Sequence, residues 1–399
     1  MDEIGAHRRV RAVVMGGYVN GYGIVKSLHE AGVANIWVVD QGRSVASRSR
    51  WVSGFEVLTD DSHDELLRVF KLLGSDGHFL VPFPTNDAHV EFLARCRADL
   101  GDNVFIPVNP MNAVEAQDKA WQYKHVAPLR GVRAPKTLDL APGDDLEATL
   151  GKLPFPMVCK PKSRTRASGG RAAAAPFRIH LLNGPESSIE PLREALGAGW
   201  TLMVSEIIPG KDDDIYAYTA YRNARGKILG EWCGRKLSQY PTRFGVFASA
   251  SNEAVPGLLE AGRKVVTEID AVGIIEPEFK QDPRTGELVL MEVNLRSMMW
   301  HRVGALSGVN LPAVQYRDAL DLPPVHQRQS NTPVTHTYFA HELAGLVARP
   351  WYARRLFKIL TRPGRREWVF FEVSDPLPFF AALPMVGRLV VQACLSRFR

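Results

Sequence analysis

Residues 276–296 read EPEFKQDPRTGELVLMEVNLR, a stretch in which two apolar runs flank a polar connection. The runs IIEPEF and LVLMEV have the composition of β-strands, and DPRTGE supplies the Asp, Pro and Gly typical of a turn. The pattern therefore predicts an antiparallel β-hairpin. Because side chains alternate across a strand, Leu288, Leu290, Glu292 and Asn294 should share one face of its second strand.

The acidic residues of this hairpin predict a bound cation. A register centred near Thr285 places Glu278 opposite Glu292, and like charges in such a pair destabilise a sheet by about 0.2 to 1 kcal/mol. A Mg²⁺ ion would relieve the repulsion, because it commonly binds one or two carboxylates together with phosphate oxygens and water. The alternative is a solvated face, or pairing with Lys280 and Arg296. The metal prediction depends on the register, since a slip of one residue moves the side chains to the other face.

The whole chain has the composition of a folded protein of two or three domains. Its 399 residues are too many for one ordinary core. Hydrophobic residues make up 45% and charged residues 23%, which excludes extensive disorder. The formal charge of +6 suits an anionic ligand and does not by itself indicate nucleic acid. The four cysteines show no CxxC spacing, so neither a disulfide framework nor a zinc site is predicted.

The two ends of the chain bear on its location. The N-terminus, MDEIGAHRRVRAVVMGG, carries charges up to the first predicted strand, so we expect no secretory signal and a cytoplasmic protein. At the C-terminus, LPFFAALPMVGRLVVQACLSRFR is apolar but interrupted by Pro384 and Arg388. We expect a terminal helix packed on the protein's own core. Contact with a membrane surface, or with a polymer that carries the substrate, is the alternative.

The chain divides into four predicted segments, 1–112, 113–205, 206–330 and 331–399. The first is an open α/β domain, because RAVVMGGYVNGYGIVKSLHEAGVANIWVVD reads as a βαβ unit and HFLVPFP and VFIPV add strand signals. Its turn, GGYVNGYG, lacks GxGxxG spacing, which favours a close-packed turn or a small-substrate contact over a dinucleotide site.

The middle segments offer groups suited to a nucleotide. In the second, a linker helix and small lid, strand PMVCKPK leads into a loop with Ser168, Gly169 and Gly170, whose N–H groups can face phosphates. In the third, VSEIIPGKDDD can present main-chain groups to an adenine and Asp213 or Asp214 to a ribose. A flexible turn and a solvated acidic run are the respective alternatives.

The fourth segment is a basic extension rich in aromatic residues. It contains ARPWYARRLFKILTRPGRRE, in which basic and aromatic side chains alternate. We expect a solvated helix that buries Trp351, Leu356 and Phe357. Stacking of bases with contacts to phosphates is the alternative.

Four short sequences, taken in order, carry a family resemblance: AQDK at 116–119, VCKPKSRTRASGG at 158–170, VSEIIPGKDDD at 204–214, and EPEF followed by LMEVNLR. The set resembles the ATP-grasp superfamily, particularly its carboxylate–amine ligases and the carbamoyl-phosphate-synthase-like proteins. The resemblance covers about residues 10–320. It implies an α/β (α+β) fold with an N-terminal open α/β domain, a small lid domain and a central ATP-binding domain.

The resemblance also implies a role for each matching residue, in binding ATP, the metal or the reacting carboxylate. These residues are Lys119 and Lys160 for the phosphates; Ser168, Gly169 and Gly170 for the covering loop; Glu206, Ile207 and Ile208 for the adenine hinge; Asp213 or Asp214 for the ribose; Glu278, Glu292 and Asn294 for Mg²⁺, with Mn²⁺ as the alternative; and Arg296 for the carboxylate. Two features depart from the family pattern. Leu295 replaces the usual proline, and Arg164, Arg166 and Arg171 make the covering loop basic.

The implied reaction joins a small carboxylate, such as an amino acid, to an amine. The carboxylate attacks the γ-phosphate of ATP to give an acyl phosphate, and the amine then displaces phosphate. Arg235 and Lys236 are candidates to contact the carboxylate or acyl phosphate, and His301 to take a proton from the amine. Kinase-type phosphoryl transfer and a regulatory nucleotide-binding protein without turnover are the alternatives. No specific nucleic acid is expected as a partner, and the oligomeric state is left open.

Overall fold

A computed structural model describes residues 9–162, 165–168, 171–242 and 245–396. Arg164, Gly169 and Gly170 lie outside the described residues. The side chains of residues 165–168 and 171–173, which include Ser168, also lie outside them. The predicted role of the covering loop therefore stays a prediction.

The N-terminal part is a parallel four-stranded sheet in the order β3-β2-β1-β4. Its elements are β1 (Val10–Met15), α1 (Val19–Glu30), β2 (Ile36–Asp40), β3 (Gly54–Val57), α2 (His63–Gly74), β4 (Phe79–Pro84), α3 (Asp87–Arg95) and α4 (Arg97–Leu100). The strand predicted at VFIPV is wrong, because Val104 makes only an isolated bridge with Leu80. Pro107 in this run has no N–H to continue the pairing.

The glycine turn after β1 is close-packed. A Cβ added at Gly21 would lie 2.0 Å from the Gly16 carbonyl oxygen, so only glycine allows this approach of helix to strand. The Gly17 N–H donates to Asp40 Oδ2 at 2.7 Å. This geometry agrees with the close-packed turn that the missing GxGxxG spacing favoured.

A linker helix, α5 (Lys119–Val126), leads to a lid with a separate antiparallel sheet in the order β5-β10-β6-β9. The elements of the lid are β5 (Thr137–Leu140), α6 (Leu146–Leu150), β6 (Met157–Pro161), the hairpin β7 (Thr165–Ser168) and β8 (Arg171–Ala174), β9 (His180–Leu182), α7 (Glu190–Gly197) and β10 (Leu202–Glu206). The lid has its own hydrophobic core, whereas the N-terminal and central parts share theirs.

The central sheet has seven strands in the order β15-β14-β11-β12-β13-β16-β17. Its elements are β11 (Ile215–Arg222), β12 (Ile228–Tyr240), β13 (Val246–Ser251), α8 (Leu258–Glu268), β14 (Gly273–Gln281), β15 (Leu288–Asn294), α9 (Arg302–Leu306), α10 (Leu311–Ala319), β16 (Val334–Thr337) and β17 (Arg365–Trp368). Strands β16 and β17 come from the predicted C-terminal extension. The predicted boundary at residue 330 therefore does not separate the extension from the central sheet, because these strands complete its edge.

Three helices finish the chain: α11 (Phe339–Ala348), α12 (Ala353–Leu360) and α13 (Leu377–Ser396). The expected burial of Trp351 and Phe357 is wrong, since they are 77% and 67% exposed. Helix α13 packs on α11, but most of its side chains are exposed or only partly buried, which also corrects the expected core packing. Over the described residues, Leu377–Leu395 is long and apolar enough to cross a membrane.

Candidate active site

The acidic hairpin has the predicted register at its acidic end. Glu278 pairs with Glu292 and Glu276 with Asn294 across β14 and β15. Nearer the turn, Phe279 pairs with Leu290, so Met291 is an extra residue that forms a β-bulge. The predicted opposition of the two glutamates is therefore confirmed, while the bulge interrupts the simple alternation expected along β15.

Helix α5 is hydrogen-bonded to β15 at and next to the bulge. The Met291 carbonyl accepts a hydrogen bond from Tyr123 Oη at 2.7 Å. The Gln122 side chain pairs with Val293 like a neighbouring strand, accepting from its N–H and donating to its C=O, both at 2.8 Å. Asp118 caps the helix by accepting from the Trp121 N–H at 2.8 Å. The AQDK sequence thus starts a helix whose first residue, Lys119, lies beside the acids.

Each of the two facing glutamates forms an ion pair with a lysine. Lys119 Nζ lies 2.5 Å from Glu292 Oε2, and both side chains are about one-third exposed. Lys236, on β12, forms an ion pair with Glu278, and both of these side chains are 8% exposed. The structure therefore brings Lys119 and Lys236 to the acidic face, and their predicted contacts with phosphates and substrate stay predictions.

Arg235 lies elsewhere, although it is adjacent to Lys236. Consecutive strand residues point to opposite faces, and Arg235 donates to the Asp213 carbonyl at 2.5 Å and to Glu253 Oε2 at 3.2 Å. Its guanidinium also lies 5.4 Å from the centre of the Tyr216 ring. The structure does not bring Arg235 to the acidic face, and its predicted contact with the carboxylate or acyl phosphate stays a prediction.

The lysines and acids shift one another's ionisation. Burial, then Glu292 and Glu276, raise the pKa of Glu278 against the opposing effect of Lys236. Burial also raises the pKa of Glu292, but Lys119, Lys236 and Lys160 together outweigh it and bring that pKa to about 2. Burial and the charge of Lys119 lower the pKa of Lys160, on β6, to about 8. Lys160, in the lid, is thus electrostatically coupled to Lys119 and Glu292.

The arrangement fits a hard divalent cation. Asn294 is 8% exposed, yet its Nδ2 has no hydrogen-bond partner among the described residues. With Glu278 and Glu292 it forms a set of oxygen donors on paired strands, the type that Mg²⁺ prefers. Over the same part of the chain no three Asp, Glu, His or Cys side chains form a closed metal cage.

Glu276 belongs to this face and was missed in the sequence, although period-two alternation from Glu278 would have found it. It is fully buried, and its Oε2 lies 2.7 Å from His301 Nε2. The Met298 N–H donates to His301 Nδ1 at 3.2 Å, so Nε2 carries the proton and donates to Glu276. Both ring nitrogens are thus used inside the protein, which corrects the expectation that His301 takes a proton from the amine.

The predicted adenine hinge is tied to the linker by Arg133. Glu206 Oε1 accepts from Arg133 Nη1 at 2.6 Å and from the Lys136 N–H at 2.8 Å. The Ile207 N–H donates to the Pro156 carbonyl at 3.0 Å. Lys280 Nζ donates to the Ile208 carbonyl at 3.0 Å. The hinge is therefore well anchored, and sequence reasoning missed Arg133, which no local pattern marks.

The two ribose candidates have different surroundings. Asp214 Oδ2 accepts from the Lys211 N–H at 2.6 Å and so closes a tight turn. Asp213 forms longer ion pairs with Arg235 and Arg355, at 3.7 and 3.5 Å. Asp213 is therefore the less firmly held acid of the two.

Arg296 lies where the central and N-terminal parts meet. Its Nε donates to Asp87 Oδ1 at 2.6 Å, and Asp87 begins α3 just after the carboxyl end of β4. Ligands of open parallel sheets bind at this edge. Arg296 also lines a small cleft with Pro84 and Pro107. The structure thus places Arg296 at an edge suited to a substrate rather than inside the acidic cluster.

A cavity of about 580 Å³ lies apart from these acids. It is bounded by α5, the 131–139 segment and the turn of the hairpin, and it contains none of Glu278, Glu292 and Asn294. Size alone would favour it as a binding site, but the facing glutamates and their lysine partners do not line it.

The architecture is that of the ATP-grasp fold, and comparisons with known proteins agree. The chain is 23% identical over 320 residues to a D-aspartate ligase of Enterococcus faecium (strain Aus0004), a match covering 75% of this chain and 74% of that protein. No protein-family model matches the chain.

Solved structures share the fold at low sequence identity. N5-carboxyaminoimidazole synthetase from Staphylococcus aureus, complexed with ADP, has a TM-score of 0.63 and 13% identity, covering 97% of this chain and 99% of that one. Biotin carboxylase from Campylobacter jejuni, in a β,γ-ATP complex, has a TM-score of 0.61 and 14% identity, covering 82% and 74%. The predicted ATP-grasp fold is confirmed.

Proposed function

We propose that this protein joins a small carboxylate to an amine at the expense of ATP, through an acyl phosphate, and releases ADP and phosphate. The observation that carries the proposal is the pair of facing glutamates, Glu278 and Glu292, beside Lys119, Lys160 and Lys236. A cluster of acids and lysines suits a reaction in which negative charge gathers on a transferred phosphoryl group. The reaction consumes ATP, so we keep the cytoplasm as the expected location.

Glu278, Glu292 and Asn294 would hold Mg²⁺, or Mn²⁺ in its place. When bound, such an ion would neutralise the negative charge of the phosphates. Lys119 and Lys160 offset charge on the phosphates from the linker helix and the lid. The main chain of Glu206 to Ile208 borders the adenine, and Asp213, the less firmly held acid, contacts the ribose.

Arg296 and Asp87 would recognise the substrate. Asp87 is 61% exposed, so its ion pair with Arg296 is held weakly against solvent and can open. The arginine would then bind a carboxylate, and the aspartate an ammonium group. Such a pair fits an amino acid, and the name of the E. faecium relative indicates an amino acid, D-aspartate, for that protein. An amino acid is therefore the substrate class that we propose.

Water must be kept from the acyl phosphate, because hydrolysis would waste it. The lid carries Lys160 and has a hydrophobic core of its own, so it can close as a unit over the acidic face. The loop of Ser168, Gly169 and Gly170 would complete the cover. Lys236 stays buried against Glu278 and keeps that carboxylate oriented.

The test is a substrate screen with the full chain, ATP and Mg²⁺. Mixtures of amino acids and amines are assayed for ADP, phosphate and new masses, with the Glu292→Gln variant as control. A condensed product that is absent with the variant supports the ligase. A mass gain of one phosphoryl group would instead favour a kinase, and nucleotide binding without turnover a regulatory protein; either result overturns the proposal.

A further inference from the structure

Helix α13 presents an apolar face to the solvent. Leu377, Phe380, Leu383, Val391 and Leu395 are 45% to 60% exposed. A helix on the surface of a soluble protein normally turns its apolar face inward and its polar face outward. In α13 the outward face is mainly apolar, and an exposed patch of this kind marks a binding surface.

The opposite face of the helix is firmly seated. Ala382 and Ala393 are buried, and Met385 and Leu389 pack against the core that the N-terminal and central parts share. The segment just before the helix is also fixed, because the fully buried Asp375 accepts from Tyr22 Oη at 3.0 Å and from Ser49 Oγ at 2.6 Å. The protein thus holds α13 in place with its apolar side outward.

The same extension carries the positive charge of the chain. Residues 331–399 contain ten Lys and Arg and four Asp and Glu, so their formal charge of +6 equals that of all 399 residues. On α12, Arg354 and Lys358 are exposed one helical turn apart. The exposed Trp351 and Phe357 lie in the same segment, and α12, like α13, packs on α11.

We propose that the C-terminal extension docks this enzyme on a membrane surface rich in anionic phospholipid. Helix α13 would lie in the plane of the interface with its outward face among the acyl chains. Arg354 and Lys358 would face the anionic headgroups, and Trp351 the boundary between headgroups and acyl chains.

Two other arrangements fit the structure less well. A membrane-spanning α13 would have to leave α11 and bring Arg388 into the hydrocarbon, where a charge is strongly disfavoured. A second copy of the chain would bring together two extensions that each carry a formal charge of +6 and repel one another.

The experiment is co-sedimentation of the full chain with vesicles, without ATP or substrates, so its outcome is independent of the proposed ligase activity. One set of vesicles is pure phosphatidylcholine, and the other contains one-third phosphatidylglycerol. We expect binding to the anionic vesicles that weakens as salt is added, and little binding to the neutral ones.

Two double variants test the two parts of the surface. Leu383→Ser with Val391→Ser should lower partition onto anionic vesicles by about ten-fold or more, because two apolar side chains leave the interface. Arg354→Gln with Lys358→Gln should lower it by about 25-fold, at about five-fold for each charge. Leu72→Ser, on α2, and Arg225→Gln with Lys152→Gln are matched controls at exposed positions elsewhere and should bind normally.

Unchanged melting temperatures would show that the variants fold. Equal binding of the wild type to both kinds of vesicle, or equal loss in the control variants, would overturn the proposal. A third outcome would also overturn it: the wild type does not bind vesicles, light scattering shows a dimer, and Leu383→Ser with Val391→Ser dissociates that dimer. That result would identify the apolar face as a contact between two copies of the chain.

Discussion

Two clusters of charged residues in this protein differ in how well their hydrogen-bonding groups are paired. In the first, Arg302 is 3% exposed and donates to both oxygens of Glu30 and both oxygens of Glu367, at 2.7 to 3.1 Å. In the second, the acidic face of the hairpin, Asn294 Nδ2 and Glu276 Oε1 have no hydrogen-bond partner among the described residues.

We assign the Arg302 cluster to stability and the acidic face to function. The Arg302 cluster joins α1, α9 and β17, so it ties the N-terminal part and the C-terminal extension to the central part. Buried polar groups in a native protein are normally satisfied, and the exceptions call for an explanation. On the acidic face, we infer, a bound cation and the phosphates of a nucleotide complete the bonding.

The largest expected effect is on stability, from Arg302→Met. Without the guanidinium, Glu367 stays largely buried with fewer partners, and breaking such a pair costs about 3 to 5 kcal/mol. Lys26, at 3.0 Å from Glu367, should keep the cost near the lower value. Denaturant unfolding measures it. The control is Arg263→Met, whose half-exposed ion pair with Glu231 should contribute less than about 1 kcal/mol; equal losses would contradict the distinction between the clusters.

Glu292→Gln should lower turnover by at least about 100-fold, because it removes a proposed ligand of the cation and a partner of Lys119. Stability should change little, since water can reach the partly exposed Lys119. ADP release and melting temperature are measured together. Glu287→Gln, on the exposed turn of the same hairpin, is the matched control and should stay active. Full activity of Glu292→Gln would remove that residue from the site.

Asn294→Ala should lower activity with little effect on stability. The change removes an amide whose Nδ2 lacks a partner among the described residues, so the free energy of unfolding should fall by no more than about 1 kcal/mol. Activity should fall about ten-fold or more and recover in part at higher Mg²⁺ concentration. A large loss of stability with normal activity would instead assign Asn294 a structural role.

Nucleotide affinity should decrease as pH rises through about 8. The pKa of Lys160 is lowered to about 8, so above that pH it loses the charge that attracts phosphates. Bound phosphates would raise this pKa again, so the loss is gradual and only several-fold. Lys119 keeps its charge, because Glu292 raises its pKa. Calorimetric titration of ATP at several pH values measures the effect, and a Lys160→Gln variant that keeps the full pH dependence would assign it to another group.

Sequence reasoning succeeded where a local pattern carries the information. The alternation in LVLMEVN and the turn in DPRTGE predicted the hairpin, and with it the opposition of Glu278 and Glu292. It failed where partners are distant in the chain. Gln122 mimics a strand against Val293, 171 residues away, and nothing near Gln122 indicates that role. Arg235 and Lys236 are adjacent in the sequence, yet the sheet sends them to opposite faces.

The sequence by itself determined the elements that carry a strong local pattern, such as the first βαβ unit and the acidic hairpin, because strand alternation and turn residues act over a few residues. It also determined which residue types could bind a cation and phosphates. Only the tertiary structure decided that strands β16 and β17 join the central sheet, that Lys119 reaches Glu292, and that α13 turns an apolar face outward. Those outcomes depend on which surfaces pack together. Packing involves contacts between segments far apart in the sequence, and no local pattern encodes them.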